Sequence, residues 1–220
     1  MRGFTTRPRL TAAVVLVLWL SLLGGCSSTY YSAMEKAGIH KRDIMVDRVE
    51  AARDSQADAQ EQFQSALERF DSVVKLEETD LKKAYDSLDK EYRKSEAAAT
   101  EVSSRIDGVE SVARALFEEW EQELDEYQNR ELRQTSKKQL AATEKRYREM
   151  LATMQQAEAA MEPVLKIFRD NVLFLKHNLN AQAIGSLQGE FASLKGEIDQ
   201  LIKKMNAAIE SSNTFIADLR

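Results

Sequence analysis

The chain of 220 residues contains one cysteine, two prolines, two histidines and eight glycines. A single cysteine excludes an internal disulfide, and there is no CxxC pair or zinc-type spacing. His40 and His177 lie in different segments, so the sequence offers no histidine pair to a metal. With so few prolines and glycines, the chain lacks the regular breaks that all-β and α/β folds require. Enzyme signatures are missing as well: no GxxxxGKS/T phosphate loop, no GxSxG elbow, no HExxH and no GxGxxG after a strand. The run Glu118 to Glu126 is acidic around Trp120. A helix fans such carboxylates around its axis, whereas a calcium site needs ligands that converge from a loop. The sequence therefore leads us to expect no cofactor, no metal and no catalytic residue.

What is present begins with an address. Arg2, Arg7 and Arg9 precede an apolar run from Thr11 to Leu23, the order of a secretory signal. That run is short for a membrane span, which needs about 20 residues. It ends in Leu23-Gly24-Gly25-Cys26. This tetrapeptide resembles the lipobox of bacterial lipoproteins, in which small residues admit a peptidase and the Cys thiol takes a diacylglyceryl group. The resemblance implies cleavage after Gly25 and lipidation of Cys26. Several acyl chains, each buried CH₂ contributing about 0.8 kcal/mol, would make the attachment stable. By the same resemblance, Ser27 favours the periplasmic face of the outer membrane over the inner one.

Removing residues 1–25 takes three arginines and no acid from a chain with 31 basic and 36 acidic residues, and moves the net charge from −5 to −8. That balance argues against nucleic acid, which needs a basic face, and against broad electrostatic docking on anionic lipid. Charged residues make up 30% of the chain. Together with abundant Ala, Leu and Gln, they are the mix of long helices and coiled coils.

The apolar residues then fall at alternating steps of four and three. In a first helix from about Asp43 to Val74, the stripe is Met45, Val49, Ala52, Gln56, Ala59, Phe63, Ala66, Phe70 and Val73. A second helix starts after a polar turn at 75–79, with Thr79 or Asp80 as cap. It carries Leu81, Tyr85, Leu88, Tyr92, Ser95, Ala99, Val102, Ile106, Val109, Ala113, Leu116, Trp120 and Tyr127. The next turn is expected at 128–136, closed by a Ser136–Gln139 capping box or, alternatively, by Asn129 with an earlier start. The third helix runs through Leu140, Tyr147, Met154, Val164, Phe168 and Leu175, with Pro163 kinking or restarting it. A tight connection at 177–180 leads to the fourth, through Leu187, Leu194, Leu201, Ala208, Phe215 and Leu219. The expected architecture is all-α: an elongated up-down-up-down bundle of four long antiparallel helices with heptad packing. The expected division is a signal at 1–25, a lipidated Cys and polar tether at 26–42 interrupted by Gly38, and a helical bundle at 43–220.

Outside the signal, the most apolar stretch is 164–175. Its wide apolar arc reads first as a segment buried between neighbours, and second as a strip that docks a partner, with Phe168 and Phe174 as its anchors. Beside it, His177, Asn178, Asn180 and Gln182 form a polar set at a bundle tip, either a recognition tip or a turn capped by its amides. His40-Lys41-Arg42-Asp43 is a mixed-charge cluster that reads as a solvated helix start.

The stretches Gly38 to Val49, Ala115 to Trp120 and Phe174 to Ile184 resemble a family of proteobacterial lipoproteins catalogued as a domain of unknown function. The resemblance covers roughly 30–218 and implies an anchored helical protein, with no activity to carry over. The role expected is a non-enzymatic scaffold of the cell envelope. Its partners would be the membrane, through the N-terminal lipid, and an envelope protein or a second copy. The alternative is a helical carrier or chaperone for an apolar ligand, although a small-molecule ligand is not the expected partner.

Overall fold

The computed structural model describes residues 26–75, 81–178 and 181–220. Among these residues the chain is all-helical, with six helices and no strand: α1 (Cys26–Lys36), α2 (Lys41–Val74), α3 (Leu81–Glu123), α4 (Arg130–Ala159), α5 (Met161–His177) and α6 (Ala181–Leu219). They pack as a bundle. α2 lies against both α3 and α6, α4 against α3 and α6, and α5 against the same two.

The bundle closes on the apolar stripes. All nine positions of the α2 stripe are buried, and so are Leu88, Val102, Ile106, Val109, Ala113 and Leu116 on α3. Met154, Val164, Phe168, Val172 and Leu175 come in from α4 and α5, and Leu187, Leu194, Ile198, Leu201, Met205 and Ala208 from α6. Phe70 lies 6.1 Å edge-on from Phe168 and stacks 6.2 Å from Phe191, so three helices share one aromatic layer.

Pro163 restarts the third expected helix rather than merely bending it. α4 ends at Ala159 and α5 begins at Met161, with the Ala160 N–H turned to the Ala157 carbonyl at 3.2 Å. Proline lacks the N–H that would continue the ladder and crowds the preceding turn, so the break falls one turn upstream of it.

One boundary follows the second of its two readings, and another differs from expectation. Asn129 caps α4, its side chain accepting from the N–H groups of Glu131 at 2.8 Å and Leu132 at 3.2 Å. The Ser136 box is not formed: Ser136 sits buried within α4 and accepts from Trp120 Nε1 at 2.8 Å. Residues 26–36, expected as an open polar tether, are the helix α1. The expected turn at 75–79, beyond Lys75, and its cap at Thr79 or Asp80 lie outside the described residues, as does the cap at Asn180.

Polar groups inside the core satisfy themselves mostly within their own helices. Ser95 donates to the Glu91 carbonyl at 2.9 Å and Ser212 to that of Ala208 at 2.7 Å. Glu91 is also buried, and burial pushes its carboxyl up. Hydrogen bonds from Lys94 and Gln62 outweigh that and hold it below the ordinary range. Gln56 is less well served. It is fully buried, donates across to the Met154 carbonyl at 3.4 Å, and leaves its Oε1 without a partner. An unmet buried acceptor costs about 1–3 kcal/mol, and an apolar replacement of similar shape removes that cost. Gln56→Met is therefore expected to raise the melting temperature. A clear drop in thermal denaturation would show that Gln56 holds the α2–α4 contact.

Candidate functional site

Once the stripes are closed, the outside of the bundle is largely charged. Among the described residues, five of the six large apolar side chains left exposed gather in two places: Ile39, Tyr127 and Leu132 lie around the α1–α2 turn and the α3–α4 connection, and Leu173 and Phe174 lie near the end of α5, while Tyr30 stands apart on α1.

The first place is built around α1. Gly38, at φ +81°, takes the left-handed conformation that only glycine adopts freely. The Gly38 N–H reaches the Glu35 carbonyl at 2.9 Å, and the Ile39 N–H reaches that of Met34 at 3.0 Å, the paired bonds of a Schellman cap. This cap reverses the chain so that α1 lies on α3. Tyr31 is buried there, 3.1 Å from Ser111 Oγ. Lys41, at the start of α2, locks the arrangement. Its ammonium is largely buried and pairs with both Glu35 of α1 and Glu119 of α3, the latter at 2.7 Å.

The charges of this knot pull in opposite directions. The hydrogen bond from Lys41 holds the Glu35 carboxyl below its ordinary value. Burial pushes Glu119 up, against the pull of Lys41. Burial also presses the Lys41 ammonium down, but the bonds from Glu119 and Glu35 outweigh it and keep it above its ordinary value. Arg42 next door donates to the Leu219 carbonyl at 2.7 Å and so brings the C-terminus to the same end. An open groove of about 400 Å³ lies here, with Arg42, Glu119, Trp120, Arg146 and Asp218 among its walls. Tyr147, one layer in, packs on Phe117 and Phe215; burial, aided by the charge of Glu110, pushes its hydroxyl up to about 12.

The second place falls where the sequence put its candidate surface, but with different members. Phe168 is fully buried and belongs to the core, which removes it from any docking strip. It lies on the Val164–Leu175 stripe that faces α3 and α6, whereas Phe174 is one position off that stripe and 41% exposed. Leu173 is exposed beside it, and His177 is exposed too. The Asn178 amide donates to the Phe174 carbonyl at 2.9 Å, so this residue caps its helix. Asn180 lies outside the described residues, as does the side chain of Gln182. At this end Gln188 of α6 donates to the Val74 carbonyl at 2.8 Å and closes the last turn of α2.

Reading the sequence missed the Lys41 knot and the docking of Tyr31. His40-Lys41-Arg42-Asp43 gave a signal of charge, but nothing in it singles out Lys41 as the one that turns inward. Leu132 is a lone apolar residue within the polar stretch 128–136.

A family model matches residues 30–219, described as "Protein of unknown function (DUF2959)". The chain belongs to this family. The match takes in α2 to α6 whole and all of α1 but its first turn, so the Lys41 knot falls inside the DUF2959 domain. No curated protein matches the chain, and no solved structure does.

The knot is testable. Lys41→Met leaves two carboxylates facing each other without their cation and removes charge-assisted bonds worth about 1.5–3 kcal/mol. Amide exchange in α1 should quicken while that of α2 stays protected. Because the carboxyl of Glu35 is lowered, its contribution is present above the ordinary value of 4.5 and is lost as pH falls through the lowered value. Unchanged exchange of α1 in Lys41→Met would show that Tyr31 alone holds it.

Proposed function

We propose that the chain is a lipid-anchored rod of the bacterial cell envelope, with a structural rather than a catalytic role. In this reading Cys26, after Leu23-Gly24-Gly25, carries the lipid on the periplasmic face of the outer membrane. α2, α3, the α4–α5 pair and α6 are four antiparallel rods packed by heptads.

The ladder of contacts supports the architecture. Along α2, Lys41, Arg48 and Gln62 meet Glu119, Gly108 and Glu91 of α3 in turn. Arg42, Arg53 and Val74 meet Leu219, Asn213 and Gln188 of α6 in turn. Partner numbers fall along one helix as they rise along the other. At 1.5 Å per residue, the 43 residues of α3 make a rod of about 65 Å.

The observation that carries the functional reading is the distribution of exposed apolar side chains. Ile39, Tyr127 and Leu132 sit at one end and Leu173 and Phe174 at the other, with Tyr30 alone on the charged flank between them. A rod that uses its ends is suited to holding something at a distance. The end with the α1–α2 turn faces the membrane, and the end with Leu173 and Phe174 receives a partner protein or a second copy. The alternative of a carrier for apolar ligands would need an apolar cavity of a few hundred Å³ along 164–175. There Val164, Phe168, Val172 and Leu175 are all buried in the common core, which favours the scaffold. No described helix is long and apolar enough to cross a membrane.

Two measurements test this. Cys26→Ala is expected to release the protein from membranes or trap its precursor; mature protein still floating with membranes would refute the anchor. Phe174→Glu should abolish an in vivo crosslink or pull-down partner while leaving the melting curve unchanged. Retention of every partner by a folded Phe174→Glu protein would remove that end as the docking surface.

A further inference from the structure

The flank of the bundle opens where α4 stops at Ala159 and α5 restarts at Met161. A groove of about 770 Å³ runs there between the break and α3. α3 leaves it open because it sets only Ala99, Thr100 and Ser103 against the break. Ala99 and Leu165 form an apolar floor packed on the core, and Tyr92 stands toward one end. On the α4–α5 side the lining runs from Gln155 to Asp170, about 22 Å at 1.5 Å per residue, or four turns of a helix.

The charges of this groove are not used by the fold. Glu96, Glu158, Glu162 and Asp170 line it against Lys166 and Arg169, and among the described residues none of the six forms an ion pair. Yet Glu162, Lys166 and Asp170 follow one another at steps of four, the spacing that pairs Asp89 with Arg93 and Lys195 with Asp199 elsewhere. The next basic residues along the chain are already engaged: Lys94 by Glu91, Arg105 by Glu101 and Arg148 by Glu144. Glu158 and Glu162 are the costly pair. They stand one turn apart at the break, where like charges destabilise a helix, and α3 faces them with Thr100 and Ser103 rather than a cation.

We infer that this groove seats a basic amphipathic helix of a partner protein. The apolar stripe of that helix rests on Ala99, Ala159 and Leu165, and its Lys or Arg side chains meet Glu158 and Glu162. A trough between two helices, apolar below and charged at the rim, is the seat of helix-in-groove recognition. Charge complementarity selects the occupant. The groove carries four acids against two bases, and its unopposed pair is acidic. A second copy of this chain does not fit: its net charge is −5, and its one basic stretch, 130–138, stands beside the acids of 118–126. The site lies on the flank, apart from both ends of the rod, and is independent of a lipid on Cys26.

The test uses the full chain in its native host cells. A photoreactive amino acid replaces Thr100 or Leu165 in the groove, or, as a control, Lys203 on the exposed side of α6. After irradiation, mass spectrometry maps each adduct to the crosslinked peptide. Thr100 and Leu165 should capture the same segment, with apolar residues at steps of three and four and a net positive charge, and Lys203 should not. Adding Glu158→Gln and Glu162→Gln should lower the yield of that adduct by about two- to thirtyfold, the factor for two exposed ion pairs. Those substitutions remove a like-charge pair and should not lower the melting temperature, so the loss is one of docking rather than of folding. The proposal is overturned by the absence of an adduct at both groove positions, or by one with lipid or a second copy. A captured segment that is acidic or lacks the apolar stripe overturns it too, as does a yield indifferent to Glu158 and Glu162.

Discussion

Everything in this molecule depends on a helix being unable to bury its own stripe. The residues of α2 from Met45 to Val73 line one side of a 34-residue helix, and no part of that helix can fold back to cover them. Isolated in water, each large side chain of the stripe would forgo about 1.5–3 kcal/mol of burial. Nucleation and backbone ordering would go uncompensated. α3, the α4–α5 pair and α6 have the same deficit. The stripes are therefore satisfied only as a set, and the shared Phe70, Phe168 and Phe191 layer shows several helices meeting that need at one point. The outer surface is left free to be polar, because nothing in the fold calls for more apolar area than the seams contain.

A core built of repeating stripes has a weakness: sliding one helix by one repeat of its stripe puts apolar residues back where apolar residues were. The buried polar residues break that degeneracy. Glu91 needs both Lys94 of its own helix and Gln62 of α2, and a slipped α2 would leave it buried without the neutral donor. Gln56 reaches only Met154 and pays for it with an unmet oxygen. Ser95 bonds back to its own helix but also accepts from Gln62 of α2 at 3.5 Å, whereas Ser212 bonds back to its own helix and interrupts the seam without selecting a neighbour. Gln56, Glu91 and Ser95 thus tie α2 to its neighbours, and Ser212 is neutral to that relation.

This division also explains what could be read from the sequence. Periodicity is a local property, so the long helices, their stripes and the break at Pro163 were all legible. The same period placed Phe168 inside: it stands four residues from both Val164 and Val172 on the buried stripe, and counting it as surface overrode a signal already present. Phe174, off that register, is exposed as its position implies. The Asn129 cap was one of two readings, because Ser136 with Gln139 has the same local chemistry. Only the tertiary bond from Trp120 distinguishes them. α1 was not legible at all. Eleven residues with Tyr30, Tyr31 and Met34 are too short for a period to emerge. The helix is held by Ser111 and Glu119, nearly eighty positions away. Glu35, Lys41 and Glu119 look like ordinary surface charges until the Gly38 turn brings them together.

That turn matters more for the anchored reading than its size suggests. Tyr31 meets Ser111, and Lys41, after the reversal, meets Glu119. α1 therefore runs along α3 from about the level of Ser111 toward the end of the bundle. Cys26 lies five residues before Tyr31, about 7.5 Å further from that end. A lipid at this position attaches to the flank of the rod, and a flank attachment leans the rod over while α1 stays docked. Were α1 to come away, the same eleven residues would become a spacer between lipid and bundle, and the distal Phe174 would gain reach. The docking rests on one buried tyrosine, one glycine cap and one ammonium shared by two carboxylates. In the anchored reading, the Lys41 knot therefore governs how far from the membrane the far end of the rod can work.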